Sequence, residues 1–364
     1  MSKPFNHQMS PGGIAARDRP PFLQPIFQNI YIRGKSPQEY AGHFPVKMFP
    51  LLLSFLSLSI SLTVVTGAAL ATAPNSGIHL AVSPKCGTLV GAPADVNAGL
   101  LPLKSYKTLV TFGDSYTDGG VRNGGPLLPA ILTPPSPKAG GRTTNGPVWA
   151  EGLTADTGAT LKDYAVGGAV TDAKLWPSKG TASDFVTQVQ LFLSQNNNLN
   201  PATTLYSVFF GINDVSASKT DGAANLPVAA QTIIDQMTLL TKAPTNARHF
   251  LVLDDYGRGS SSTAGDAFKQ KYFTGLQTLS KTVSGLKVAF VDLKTIWNGV
   301  LGSSPGFAAF GYKSSGACAV NSSTTVGACG DPDHTFYWIP GHPSKQTHRI
   351  MADYVEEVLI NCAI

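Results

Sequence analysis

The amino-acid sequence predicts an α/β protein in which a parallel sheet is covered by helices on both faces. Two observations carry that reading. From about residue 105 onward, short apolar and β-branched runs alternate with segments of helical period. Each run is long enough for a buried strand and too short for a helix, as parallel sheets require. No linker or repeat divides the stretch, so residues 105–364 are taken as one domain, preceded by an extended, Pro- and Gly-rich lead-in over 72–104.

The elements follow in order. Thr108-Leu-Val-Thr-Phe112 is the first strand, ended by Gly113. Residues 119–147 are rich in Gly and Pro and form a loop, followed by a short helix of a turn or two over 148–153. Leu161–Val166 is a second strand. Ser183 and Asp184 suit the start of a helix with apolar residues at Phe185, Val186, Val189, Phe192 and Leu193. Leu205–Phe210 is a third strand, stopped by Gly211. A helix over Pro227–Leu240 opens with Pro in its first turn. Phe250–Leu253 and Val288–Val291 are the fourth and fifth strands, with a long amphipathic helix between them over 264–283. Lys345–Leu359 is the last helix.

Composition narrows the class of function. The formal charge of the 364-residue chain is +5, but residues 1–71 hold six Lys/Arg against two Asp/Glu, whereas 72–364 hold 21 against 20. The domain is near neutral and carries no basic run interleaved with aromatics, which argues against a nucleic-acid partner. Between Lys47 and Lys85 there is no Lys, Arg, Asp or Glu. Inside that gap, Leu51–Val65 has the length of a signal-peptide core, and Ala69-Leu70-Ala71 resembles a cleavage site, so residues 48–71 read as a signal peptide and the protein as secreted. A membrane anchor through residues 50–70 is the alternative. Residues 1–47 read as a disordered leader or a mis-assigned start, with Met48 as the other candidate start. The four cysteines suit an oxidising compartment. Of three possible pairings, Cys318 with Cys329 and Cys86 with Cys362 is favoured, closing a short loop and tying the ends of the domain together. The only N-x-S/T sequon, at Asn321, falls inside that short loop and is a candidate glycan site. A monomer is expected, with no metal and no organic cofactor.

Chemistry concentrates at strand ends. Ser115, in Phe112-Gly-Asp-Ser-Tyr-Thr-Asp118, follows a strand directly, at the carboxyl edge where open sheets place ligands. Asn213, in Gly211-Ile-Asn-Asp214, also follows a strand. Gly167 and Gly168, in Tyr164-Ala-Val-Gly-Gly-Ala169, allow close backbone approach. His342, in Trp338-Ile-Pro-Gly-His-Pro343, sits just before the final helix. Together they supply a nucleophile, a two-part oxyanion hole made of a glycine N–H and the Asn213 amide, and a general base.

These blocks, in this order, resemble those of the GDSL or SGNH family of serine esterases and lipases, which implies Ser115 as nucleophile, His342 as base, and the Ser115 and Gly168 N–H groups with the Asn213 amide as oxyanion donors. Gly141-Arg-Thr-Thr-Asn-Gly-Pro-Val-Trp149 is similar to a stretch of its secreted fungal-type branch, which resembles carbohydrate acetylesterases. The resemblance covers about residues 105–360. It implies a three-layer α/β/α, flavodoxin-like sandwich with a parallel sheet of about five strands. It also implies ester hydrolysis through an acyl-enzyme, on a short-chain ester or an acetylated polysaccharide or oligosaccharide. A lipase or lysophospholipase-type esterase, or a catalytically weak binding protein on the same scaffold, is the alternative. The chain departs from the family at Ile339, where an Asp three residues before the histidine is usual. Either Ser115 and His342 act as a dyad or a carboxylate comes from elsewhere, Asp331 and Asp333 being the nearest candidates; in some enzymes of this fold a backbone carbonyl takes that place.

Overall fold

A computed structural model describes residues 77–180 and 183–364. Residues 1–71, read above as a leader and a signal peptide or anchor, lie outside the described residues. Among the described residues, sixteen strands and α-helices follow one another: β1 (Val96–Ala98), β2 (Thr108–Gly113), α1 (Trp149–Thr157), β3 (Thr160–Asp163), α2 (Phe185–Ser194), β4 (Thr204–Phe209), α3 (Ile212–Asp221), α4 (Leu226–Leu240), β5 (His249–Asp254), α5 (Thr263–Thr282), β6 (Lys287–Asp292), α6 (Lys294–Leu301), β7 (Ser314–Ala317), β8 (Thr335–Ile339), β9 (His342–Pro343) and α7 (Lys345–Asn361).

The main sheet runs β1-β6-β5-β4-β2-β3. β2 to β6 are parallel to their neighbours, and β1 adds an antiparallel edge. This is the α/β sandwich expected from the sequence, with one strand more. Alternation of side chains along each strand divides the core into two layers. Val110, Phe112, Tyr206, Val208, Phe250, Val252, Val288 and Phe290 pack on one face with α2, α4 and α5. Leu109, Leu205, Phe209, Leu251, Leu253, Ala289 and Val291 pack on the other with α1, α6 and α7.

The lead-in is corrected by the structure. Residues 77–104 are not a mere tether: β1 pairs with β6 and Ile78 and Leu100 are buried in the core. Two buried polar side chains make this possible. The Asp95 carboxylate accepts from the N–H groups of Lys85 and Asp292 and from the Tyr354 hydroxyl. Asn97 donates to the Leu359 and Leu100 carbonyls and accepts from Leu100 N–H. Disulfides join Cys86 to Cys362 and Cys318 to Cys329, the first fastening this segment to the end of α7. A second small sheet, β7-β8-β9, was not anticipated; it carries His342.

Candidate active site

The turn that carries Ser115 is shaped by its neighbours. β2 ends at Gly113, where a Cβ would lie 2.8 Å from Thr117 Oγ1 and 3.1 Å from the Phe209 carbonyl, so only glycine fits. Buried Gln188 of α2 clamps the same peptide, accepting from Gly113 N–H at 3.0 Å and donating to its carbonyl at 2.8 Å. Thr117 and Asp118 N–H both donate to the Asp114 carbonyl, closing a tight turn with Ser115 at its crest.

Sheet order brings the other blocks beside it. β3 and β4 flank β2, so the loop holding Gly168 and the first turn of α3 holding Asn213 stand on either side of Ser115. Three buried aspartates from the motif blocks fasten these loops. Asp118 accepts from Gly167 N–H at 2.7 Å. Asp214 accepts from the Thr171 hydroxyl at 2.7 Å and from Trp176 Nε1 at 2.8 Å. Asp114 accepts from Tyr116 N–H at 3.0 Å and from Asn213 Nδ2 at 3.1 Å. Burial pushes the Asp114 carboxyl up to about 7, opposed by its bond from Tyr116 N–H. Gly168 sits at φ +84°, and neither its N–H nor that of Ser115 makes a hydrogen bond among the described residues. The Asn213 amide is anchored by a 2.9 Å bond to the Ala169 carbonyl, and its Asp114 contact is the one an oxyanion must displace. Asn213→Ala is therefore expected to lower kcat by roughly 10²–10³-fold with little change in KM, as for other oxyanion-hole donors; steady-state kinetics on a chromogenic ester measures it.

His342 arrives from the opposite direction. Ser115 Oγ and His342 Nε2 lie 2.9 Å apart across 227 residues of chain. His342 Nδ1 faces the Pro340 carbonyl at 3.4 Å. Neither candidate carboxylate reaches it. Asp331 is taken up by Lys313 at 2.6 Å and His334 at 2.8 Å, and Asp333 by Lys345 at 2.9 Å. Both sit in or beside the short 3₁₀ turn at 332–334 that precedes β8. Ile339 is buried among Cys318, Ala319 and Trp338, so the family's acid position serves the core of the small sheet. Burial lowers the His342 pKa, the Pro340 carbonyl raises it, and Arg258 and Lys138 lower it further. His348, buried in α7, accepts from Trp149 N–H and is pushed down to about 3 by burial; it is a neutral packing group.

The Gly141–Trp149 stretch ties the two halves together. Thr144 donates to the Pro343 carbonyl at 2.9 Å, Asn145 accepts from Lys345 N–H at 2.8 Å, and Trp149 Nε1 donates to Thr117 Oγ1 at 3.2 Å. Arg142 is fully buried and forks onto Glu151 of α1 at 2.6 and 2.7 Å. All four tryptophans, Trp149, Trp176, Trp297 and Trp338, are buried. They serve as core, and none offers a free face for stacking a sugar. Asp114, Asp118, Asp214 and Arg142 were legible as motif residues but not as clamps. Tyr116 and Arg258, which meet beside His342, carried no sequence signal of that role.

A family model described as GDSL-like lipase/acylhydrolase matches residues 109–355. An acetylesterase of Hypocrea jecorina is 33% identical over 129 residues, 32% of this chain and 37% of the relative; the chain thus spans little more than a third of that protein's length. Among solved structures, a variant of an acetyl xylan esterase from Geobacillus stearothermophilus aligns at 15% identity and a TM-score of 0.36, over 76% of this chain and 99% of the other. A second acetyl xylan esterase aligns at 17% identity and a TM-score of 0.38, over 70% and 100%.

Proposed function

The chain belongs to the GDSL-like lipase/acylhydrolase family, and from that premise we propose that it is a secreted serine esterase acting on short acyl esters, O-acetyl groups of a polysaccharide or oligosaccharide above all. The observation that carries the reading is the 2.9 Å contact between Ser115 Oγ and His342 Nε2. Ser115 Oγ attacks the ester carbonyl as its proton passes to His342 Nε2. The oxyanion is received by the Ser115 and Gly168 N–H groups and the Asn213 amide. The tetrahedral adduct collapses as Nε2–H protonates the departing alkoxide, leaving acyl-Ser115. Water then adds to the acyl group, its proton passing to Nε2 and on to Ser115 Oγ, and the carboxylic acid leaves. The Pro340 carbonyl, as acceptor for Nδ1–H, keeps Nε2 unprotonated in the resting state.

The short-acyl assignment is supported by the acetylesterase relative and by the low charge of the domain. Secretion is supported by the apolar segment at 48–71 and by two disulfides. Exposed Asn321 is the proposed glycan acceptor; its Oδ1 accepts from Ser323 and Thr324 N–H, fixing a surface turn in the disulfide loop. A series of p-nitrophenyl esters from acetate to palmitate tests the substrate reading. The expected kcat/KM falls at least tenfold between acetyl and octanoyl esters. A rate that rises with chain length, or that jumps when the ester forms micelles, establishes the lipase reading instead.

A further inference from the structure

We infer that Tyr116, backed by Arg258 and Asp255, is the positioning group for His342, holding the catalytic histidine's loop through the Gly341 carbonyl. The inference rests on the esterase reading of Ser115 and His342 and concerns what replaces the acid that Ile339 cannot supply. Tyr116 directly follows the nucleophile in sequence and is buried. Its ring stacks on Trp297 at 5.9 Å and meets the His342 ring at 5.8 Å. Its hydroxyl donates to the Gly341 carbonyl at 2.6 Å. One side chain therefore links the backbone of the nucleophile to the peptide immediately before the base.

The polarity of this link is fixed by chemistry. A guanidinium has donors and no acceptor. Arg258 Nη1 donates to the Tyr116 hydroxyl, so that oxygen must accept there and spend its single proton on Gly341. The Arg258 guanidinium also lies over the Tyr116 ring, 5.1 Å from its centroid, and Nη1 pairs with Asp255 Oδ2 at 3.1 Å. The order Asp255, Arg258, Tyr116, Gly341 carbonyl is a directional chain, and a cation behind a phenol strengthens it as a donor. The turn between β8 and β9 is thereby held at both of its carbonyls. Pro340 accepts from the imidazole and Gly341 from the phenol. Gly341 at φ +77° permits that turn.

The arrangement differs electrostatically from an acid-supported histidine. Arg258 and Lys138 face His342 from the loop after β5 and from the 119–147 loop, and neutral His348 lies nearby on α7. Asp114 and Asp255 lie around Tyr116, the second paired with Arg258. Geometry is thus supplied by Tyr116 without a negative charge next to Nδ1.

Tyr116→Phe tests the point, because it keeps the ring and removes only the hydroxyl. The expected result is a fall in kcat of about 10–100-fold with KM within twofold, the size of penalty that slight misplacement of a catalytic group brings. The acid limb of kcat/KM, set by His342, is expected to move up toward the ordinary histidine value of about 6.5 as the loop opens to water. Arg258→Met should move the same limb in the same direction with a smaller loss of kcat. Rates are referred to active sites titrated with a fluorophosphonate, so partial unfolding does not enter. A Tyr116→Phe protein whose kcat and acid limb are unchanged per titrated site overturns the proposal, even if its melting temperature drops. NMR titration of the His342 ring in both proteins separates this from the esterase reading. A wild-type protein that hydrolyses no ester overturns that reading alone. The positioning role then stands if the His342 titration shifts upward in Tyr116→Phe and falls if it does not.

Discussion

Ser115→Ala is expected to abolish ester hydrolysis, lowering kcat by roughly 10⁵-fold or more, the scale on which loss of a serine nucleophile acts in hydrolases built on a serine and histidine. Among the described residues the serine hydroxyl makes a single side-chain bond, to His342 Nε2, and its removal takes nothing from the core. The variant should therefore melt as the parent does, and the loss should lie entirely in the chemical step. His342→Ala should fall by a similar factor, and the double variant should be no slower than either single one. That non-additivity is the sharper measurement, since two residues acting as one unit cannot be removed twice. Turnover near the wild-type rate in Ser115→Ala would take Ser115 out of the chemistry. Two single losses that multiply in the double variant would mean that serine and histidine act in separate steps.

The legible part of this molecule is the part whose physics is local. β2, β4, β5 and β6 stood out because a strand buried on both faces must be continuously apolar. Ser115, Asn213 and His342 stood out because each chemical role restricts the residue type within a short block. β1 did not, because Val96-Asn97-Ala98 owes its place to Asn97 bonds with Leu100 and with Leu359, 262 residues away. α3 was missed because its apolar periodicity is weak; its start is defined by Gly211 and its buried face by Asp214 and Ala217. The group beside His342 Nδ1 was unreadable for a different reason. A backbone carbonyl leaves no trace in residue type, and any residue at position 340 would present one. Asp331 and Asp333 drew attention by proximity in sequence, but β8 carries the chain away from them before it turns back to His342.

Arg142→Ala is the substitution with the largest expected effect on stability. Arg142 is fully buried, with its fork on Glu151 and further donations to the Leu128 carbonyl at 2.8 Å, Ala139 at 3.2 Å and Gly140 at 3.3 Å. Glu151 also accepts from Val148 N–H at 2.9 Å, which starts α1. Truncation leaves a half-buried carboxylate without its cation and the Leu128 and Gly140 carbonyls without this donor, while Ala139 keeps only the backbone N–H of residue 142. Breaking a buried pair from one side costs about 3–5 kcal/mol, far more than the pair adds over a well-packed apolar substitute. For a domain of this size that is a drop of roughly 10 °C in melting temperature. Arg142→Lys should recover only part of it, because an ammonium cannot fork onto a carboxylate while also reaching the loop carbonyls. The effect should extend to catalysis. The same loop holds Pro343 and Lys345 through Thr144 and Asn145, so loosening it loosens the entry to α7 that follows His342. A melting temperature within 2–3 °C of wild type, about the shift of 1 kcal/mol or less, would show that the loop is held by its other contacts and that Arg142 is dispensable. Scanning calorimetry at one fixed scan rate, beside kcat at a temperature where both proteins are folded, separates loss of the fold from loss of alignment.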